Sequence, residues 1–172
     1  KTPLIAPIRR LQAAGAAVAS IHPMFGPSVV LLRDCDVVIC DTGDAAAAAM
    51  VEQLFTSTTA RLINLPLDEH DRLMADVLTL AHATVIAFAL ALPDTAVPVR
   101  STTLGALQTL SANLVRESPD VYYEIQALNP DSAGALDRLA RAIDSVREAV
   151  GSRNAAAFTE LMREGERKTP SL

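Results

Sequence analysis

The chain has 172 residues, enough for one generous domain or for a small domain plus part of another. Half of them are hydrophobic, a fifth are charged and 3% are aromatic, with no Trp, so Ala, Leu and Val must pack a soluble globular core. The net charge of −5, with no Lys/Arg run beyond Arg9-Arg10, argues against a nucleic-acid partner, and the longest apolar stretch, 83–92, is too short to span a bilayer.

The chain opens on Lys1 rather than Met, so it is expected to continue upstream. Pro3 sits near the start of a predicted helix, 3–14, which Gly15 ends. The apolar run 16–21 predicts a buried strand. His22-Pro-Met-Phe-Gly-Pro27 predicts a loop, because two prolines and a glycine disfavour regular structure. A second strand is predicted at 37–40. Asp44 then caps an alanine-rich helix to about residue 55, and 60–64 predicts a third strand. This alternation is the pattern of an α/β layer. Cys35 and Cys40 are an odd separation apart on one predicted strand, so their side chains should face opposite ways and stay unpaired. They are expected to be small hydrophobes of a reduced, cytoplasmic protein.

After Pro66 the strands stop. Apolar residues at 73, 74, 77, 78, 81, 85, 86 and 89 predict one long helix over 68–92, broken by Pro93 and Pro98. Further helices are predicted at 101–115, 119–128, 131–150 and 154–164, the third of these with Asn129 at its cap and Pro130 at its first position. Within it Leu136, Leu139, Ile143, Val146 and Val150 alternate steps of three and four, a coiled-coil-like seam. The expected organisation is mainly α: an α/β remnant over 1–65 and a helical domain over 66–172. Helix 68–92 is apolar around much of its circumference. A second copy of the chain, covering it to give a homodimer, is the expected partner.

There are three histidines, and a core histidine satisfied by the backbone is the ordinary reading of each. His22 departs from it by following a strand and opening a rigid loop. Ligands of open α/β sheets sit beyond the carboxyl ends of strands, where a neutral imidazole can accept a proton. His82 shares a helical stripe with Leu78, Val85, Ile86 and Ala89, and is either a core residue or a substrate contact. His70-Asp71 also raises a metal phosphohydrolase of the His-Asp type as a remote alternative. However, His70 and His82 stand 12 residues apart and face different ways round a helix. Neither Gly-x-Gly-x-x-Gly nor a P-loop occurs.

Three blocks carry a resemblance. Ser20-Ile-His-Pro-Met-Phe-Gly-Pro27 resembles the His-Pro-Met-Phe-Gly-Pro segment of prephenate dehydrogenases. Glu69-His-Asp-Arg-Leu-Met74 with Leu80-Ala-His82 resembles the family's next block, and Asp120-Val-Tyr-Tyr-Glu-Ile-Gln126 with Asn129 its later Tyr-x-x-Ile segment. The resemblance implies the end of a Rossmann-type α/β domain followed by an all-helical dimerisation domain. It places the glycine-rich loop upstream of Lys1, so this stretch alone should not hold NAD or NADP well. The implied reaction is oxidative decarboxylation: hydride leaves ring carbon 4 of prephenate and carbon 1 loses its carboxylate. By resemblance, His22 would accept a hydrogen bond from the 4-substituent, Pro23, Met24 and Gly26 would approach the cofactor, and His82 would help place the substrate's acidic groups. His70 and Asp71 would fix the start of their helix, with Asp71 in its first turn.

The chain departs from the family at one point. An Arg that binds a substrate carboxylate usually stands nine residues before the first Tyr of the Tyr-x-x-Ile block; here that position is Asn113. Arg116 or Arg100 is expected to compensate, or the substrate differs. Family members in antibiotic pathways act on 4-amino-4-deoxyprephenate, and the excess of Arg over Lys and the abundance of Ala point the same way. The competing reading is a non-catalytic helical dimerisation module.

Overall fold

The computed structural model describes residues 1–26, 29–95, 98, 99 and 101–169. The chain is mainly helical with one small sheet, and it divides into two compact units. The first is Lys1–Val77 with Tyr123–Asp131, the second Leu78–Tyr122 with Ser132–Leu172. The boundary expected at 65/66 falls one residue before the end of the last strand, Pro66, whereas the compact units divide between Val77 and Leu78. The compact grouping keeps the first turns of the following helix with the sheet.

In the first unit a short 3-10 turn, Thr2–Leu4, leads into α1, Ile5–Ala13. Gly15 ends this helix with φ +85, a conformation that costs glycine nothing. Three strands follow: β1, Ser20–Pro23; β2, Asp36–Asp41; and β3, Arg61–Pro66. The order is β1-β2-β3, with β1 antiparallel and β3 parallel to β2. Val37, Val38, Ile39 and Cys40 of the central strand are buried and form the heart of the core. Between β2 and β3 runs α2, Ala45–Phe55, whose cap Asp44 accepts the Ala47 N–H at 2.9 Å.

Two expectations need correction here. Residues 16–19 do not join the sheet. The Val18 N–H donates to Asp44 Oδ2 at 3.1 Å and the Val18 carbonyl accepts from Thr42 Oγ1 at 2.6 Å, so side chains take the place of a ladder. His22 and Pro23, expected in a loop, complete β1 instead, opposite Val38 and Val37. Pro23 is tolerated because β1 is an edge strand. The next N–H, that of Met24, turns inward to the Asp36 carbonyl at 2.9 Å, so the proline nitrogen faces away from β2.

The long helix is continuous from Leu67 to Ala91. It runs as α3, Leu67–Met74, a π-helical segment, Ala75–Leu80, and α4, Ala81–Ala91. Its 25 residues have a hydropathy of 1.9 in their most apolar window, of which 17% is buried. By length and composition this helix could cross a membrane. The 83–92 stretch considered from sequence was only part of it.

The second unit contains α4 with α5, Thr102–Leu114; most of it is completed by α7, Ser132–Gly151, and α8, Ala155–Lys168. Helix α6, Pro119–Ala127, passes from the second unit into the first. Ser101 and Asn154 cap α5 and α8 through the N–H groups of Leu104 and Ala157, at 3.1 and 3.0 Å. Asn129 does not cap α7. Its Oδ1 accepts the Asp131 N–H at 2.9 Å, an Asx turn just ahead of the helix, and its Nδ2 donates to the Asp71 carbonyl at 2.8 Å within the first unit. α4 packs on α5 and α7 on α8. The buried side chains of the second unit are small: Thr79, Ser111, Ser132, Ala135 and Ala149. Thr79 and Ser132 share a buried hydroxyl–hydroxyl bond of 2.8 Å. Several large apolar side chains face out instead, with Leu90 81%, Ile143 53% and Val150 60% exposed.

Candidate functional site

His22 lies near the end of β1 on the sheet face that it shares with Ser20. Because β1 is antiparallel to the other strands, its carboxyl end lies beside Val37 and Val38, close to the amino end of β2. The strand-end argument made from sequence therefore pointed to the wrong end of the sheet. What gives His22 a chemical setting is α3.

His22 Nδ1 stands 2.9 Å from His70 Nε2, and His70 Nδ1 stands 2.8 Å from Asp71 Oδ1. The two imidazole rings are tilted by 40°, with centroids 5.2 Å apart. His70 and Asp71 are both buried, at 4% and 2% exposure. Asp71 also accepts the Thr2 N–H at 2.6 Å on its other oxygen. Burial opposes the charge of Asp71, but the hydrogen bonds it accepts, those from Thr2 and His70 among them, outweigh burial and hold its carboxyl below the ordinary carboxylate value. Asp71 is thus not a first-turn charge at a helix start, as expected from sequence. The first-turn acids of α3 are Asp68 and Glu69.

Burial, reinforced by His70 and by Lys1, pushes the His22 pKa down to about 4, against a smaller upward pull from Asp71. Burial likewise lowers the pKa of His70, although its bond to Asp71 pulls the other way. Both rings are therefore neutral near pH 7. An ionised carboxylate only accepts, so His70 carries its proton on Nδ1 and presents a lone pair at Nε2. His22 must then carry its own proton on Nδ1, which leaves Nε2 as an acceptor. Both nitrogens of His70 are engaged in this chain of bonds, so His70 has no nitrogen to offer a metal ion. Among the described residues no three His, Cys, Asp or Glu side chains gather closely enough to hold one.

The other expected site residues are placed as follows. His82, in the first turn of α4, is half-buried and meets Tyr122 edge-on, with centroids 4.7 Å apart at 70°. The Tyr122 hydroxyl donates to Glu117 Oε2 at 2.9 Å. Burial lowers the His82 pKa, against an upward pull from Glu117, and its Nδ1 is buried without a hydrogen-bond partner. A lone pair is the cheaper group to bury bare, which favours the proton on Nε2. Asn113 is exposed on the last turn of α5 and Arg116 is exposed just beyond it. Arg100 lies outside the described residues. Cys35 and Cys40 are free thiols, and burial pushes the Cys40 thiol up.

Of the loop residues expected at the cofactor, Pro23 has no N–H and the Met24 N–H is taken by Asp36. Gly26 is exposed, with nothing within 4 Å of where a Cβ would stand. The sequence holds no Gly-x-Gly-x-x-Gly cradle for the phosphates of a dinucleotide. Sequence reasoning missed His70 and Asp71 as partners of His22. The available signal was a His-Asp pair next to each other in a helix otherwise destined for the core, where two polar side chains need partners.

The family model described as "Prephenate dehydrogenase, dimerization domain" matches residues 66–164, more than half of the chain. A 4-amino-4-deoxyprephenate dehydrogenase of Streptomyces pristinaespiralis is 31% identical over 161 residues, covering 90% of this chain and 54% of that protein. A probable arogenate/prephenate dehydrogenase of Methanocaldococcus jannaschii is 23% identical over 159 residues, covering 87% of this chain and 36% of that protein. The chain therefore spans about half or less of the length of these relatives. In fold it is similar to a prephenate dehydrogenase from Aquifex aeolicus solved in complex with hydroxyphenyl propionate and NAD+. The TM-score is 0.71 at 14% identity, over 92% of this chain and 60% of that one. It is also similar to Synechocystis arogenate dehydrogenase, with a TM-score of 0.58 at 14% identity, over 89% of this chain and 61% of that one.

Proposed function

Because the chain belongs to the prephenate dehydrogenase family, we propose that it is the C-terminal part of an enzyme that oxidatively decarboxylates prephenate or its 4-amino analogue. The observation that supports this reading is the chain Asp71–His70–His22, which engages His22 through Nδ1 and leaves Nε2 as its accepting nitrogen. The bound nicotinamide of NAD or NADP, held mainly by residues other than these, supplies the hydride acceptor. As hydride leaves carbon 4, the 4-substituent becomes acidic. His22 Nε2 accepts its hydrogen bond and holds its proton until carbon dioxide has left and the ring has become aromatic. Net, carbon 4 loses a hydride and carbon 1 its carboxylate, and the proton borrowed by His22 returns to the 4-substituent.

His82, with its Nε2–H as donor, is suited to a substrate carboxylate. Asn113 in place of the expected Arg favours the 4-amino substrate, because an ammonium gains where a cation is missing and a dianion loses. The name of the Streptomyces relative supports that choice. A second copy of the chain is proposed to cover the exposed apolar faces of the long helix and α7, giving a homodimer.

The test is His22→Asn in the full-length enzyme. The Asn amide keeps a donor at the δ position for His70 and removes the acceptor at ε. The expected result is a fall in kcat of about two decades, the usual yield of a positioned base, with cofactor binding unchanged. A kcat within a few-fold of wild type would make His22 structural and remove the proposed mechanism.

A further inference from the structure

The buried pair that backs His22 has no counterpart in the expectation that His70 and Asp71 merely start a helix. We infer that His70 and Asp71 are positioning residues that select the tautomer of His22, so that its Nε2 and not its Nδ1 is the nitrogen offered to substrate. This rests on His22 being the base of the proposed function, and it deepens that reading.

Asp71 is the fixed end of the hydrogen-bonded chain. Its Oδ2 accepts the Thr2 N–H at 2.6 Å, its Oδ1 faces His70 Nδ1 at 2.8 Å, and its own backbone carbonyl is held by Asn129 Nδ2 at 2.8 Å. The residue is thus pinned from the N-terminal segment and from the end of α6, and it has no freedom to present anything but an acceptor to His70. Every link after that is forced by donor and acceptor parity: His70 donates at Nδ1 and accepts at Nε2, and His22 donates at Nδ1. A free imidazole populates both tautomers, and one of them would aim a second N–H at the substrate's hydroxyl or amine. His70 removes that state at its source. The same bond fixes the ring plane, since Nδ1 is anchored 2.9 Å from a side chain that is itself buried. His22 is only half-buried, so without this anchor its ring would be free to rotate.

The inference separates the two sides of the His70 ring. His70→Leu fills the space but accepts nothing. His70→Gln places an amide oxygen near the former Nε2, restoring the acceptor for His22 while losing the donor to Asp71. Steady-state kinetics of the full-length enzyme should show kcat at least tenfold lower in His70→Leu with KM within about threefold. His70→Gln should recover most of that loss. The wild-type full-length enzyme, labelled with 15N-histidine, should show His22 protonated at Nδ1 and bare at Nε2 at neutral pH. Three results overturn the inference: the opposite His22 tautomer in the wild type, His70→Leu with kcat unchanged, or His70→Gln no better than His70→Leu. If the leucine variant fails to fold, the glutamine variant and the wild-type spectrum still decide. If the full-length enzyme oxidises neither substrate, the proposed function fails, while the tautomer of His22 is read independently.

Discussion

Ile143→Asp is expected to break the proposed homodimer. Ile143 lies midway along α7 and is 53% exposed in the single chain, on the seam with Leu136, Leu139, Val146 and Val150. Fully burying an isoleucine side chain contributes roughly 1.5–3 kcal/mol, so covering its exposed half contributes about 1 kcal/mol. A two-fold interface uses each residue twice, which makes about 2 kcal/mol per dimer. The variant loses this and places an unpaired carboxylate on each side of a desolvated seam, costing about 2 kcal/mol more. A total of about 4 kcal/mol weakens the dimer by roughly three decades in Kd. Sedimentation equilibrium of wild type and variant measures this directly, with circular dichroism as the control that the helices persist. A variant that dimerises with the wild-type Kd would remove the α7 seam from the interface. A wild-type chain that stays monomeric at micromolar concentration would remove the homodimer altogether.

Acidification from pH 7 to pH 5 is expected to destabilise the chain through its buried histidines. His22 has its pKa lowered from 6.5 to about 4, and those of His70 and His82 are lowered in the same direction by burial. The unfolded chain binds more protons across that window, so this stability is complete above about 6.5 and is lost as pH falls toward 4. The urea midpoint should be lower at pH 5 than at pH 7, and an equal or higher midpoint at pH 5 would contradict the assigned neutral state. Thr79→Val keeps the shape of a fully buried side chain but leaves the Ser132 hydroxyl, 2.8 Å away, without its partner. A loss of about 1–2 kcal/mol is expected from urea unfolding, and no loss would mean that another acceptor or donor takes over. Asn113→Arg in the full-length enzyme should shift kcat/KM toward prephenate and away from its 4-amino analogue by about tenfold, or roughly 1.4 kcal/mol. Strong wild-type activity on prephenate that the new Arg leaves unchanged would show that another cation already serves the carboxylate.

The helices were legible because their signals are local. Asp44, Ser101 and Asn154 each cap the helix that their position promises, and the apolar spacing across residues 68–92 survives a π-helical insertion without losing the helix. The edge of the sheet was not legible for the opposite reason. The run 16–21 has the composition of a strand, yet the fate of Val18 is set by Thr42 and Asp44, more than twenty residues away. Composition reports what a residue tolerates, whereas ladder membership depends on which distant group reaches its backbone first. Asn129 shows the same limit. Its identity and the following proline fit a cap, but its Nδ2 is held by the Asp71 carbonyl and its Oδ1 closes a turn on the Asp131 N–H instead.

The site was half legible, and the missing half has a physical cause. A motif singles out His22 because the flanking prolines and glycine are conspicuous in one dimension. His70 and Asp71 were visible as a pair but were assigned to their own helix, since nothing in the linear text brings α3 over the face of β1. The fold does so by reversing β1. In an all-parallel sheet of the same order the end of β1 would lie where β2 finishes, and His22 would sit near Asp41. The antiparallel pairing sets His22 opposite Val38, three residues back along β2 from Asp41, and there His70 meets it at 2.9 Å. The sense of one edge strand thus decides whether this imidazole is a lone side chain or the last member of a hydrogen-bonded chain that runs back to Asp71.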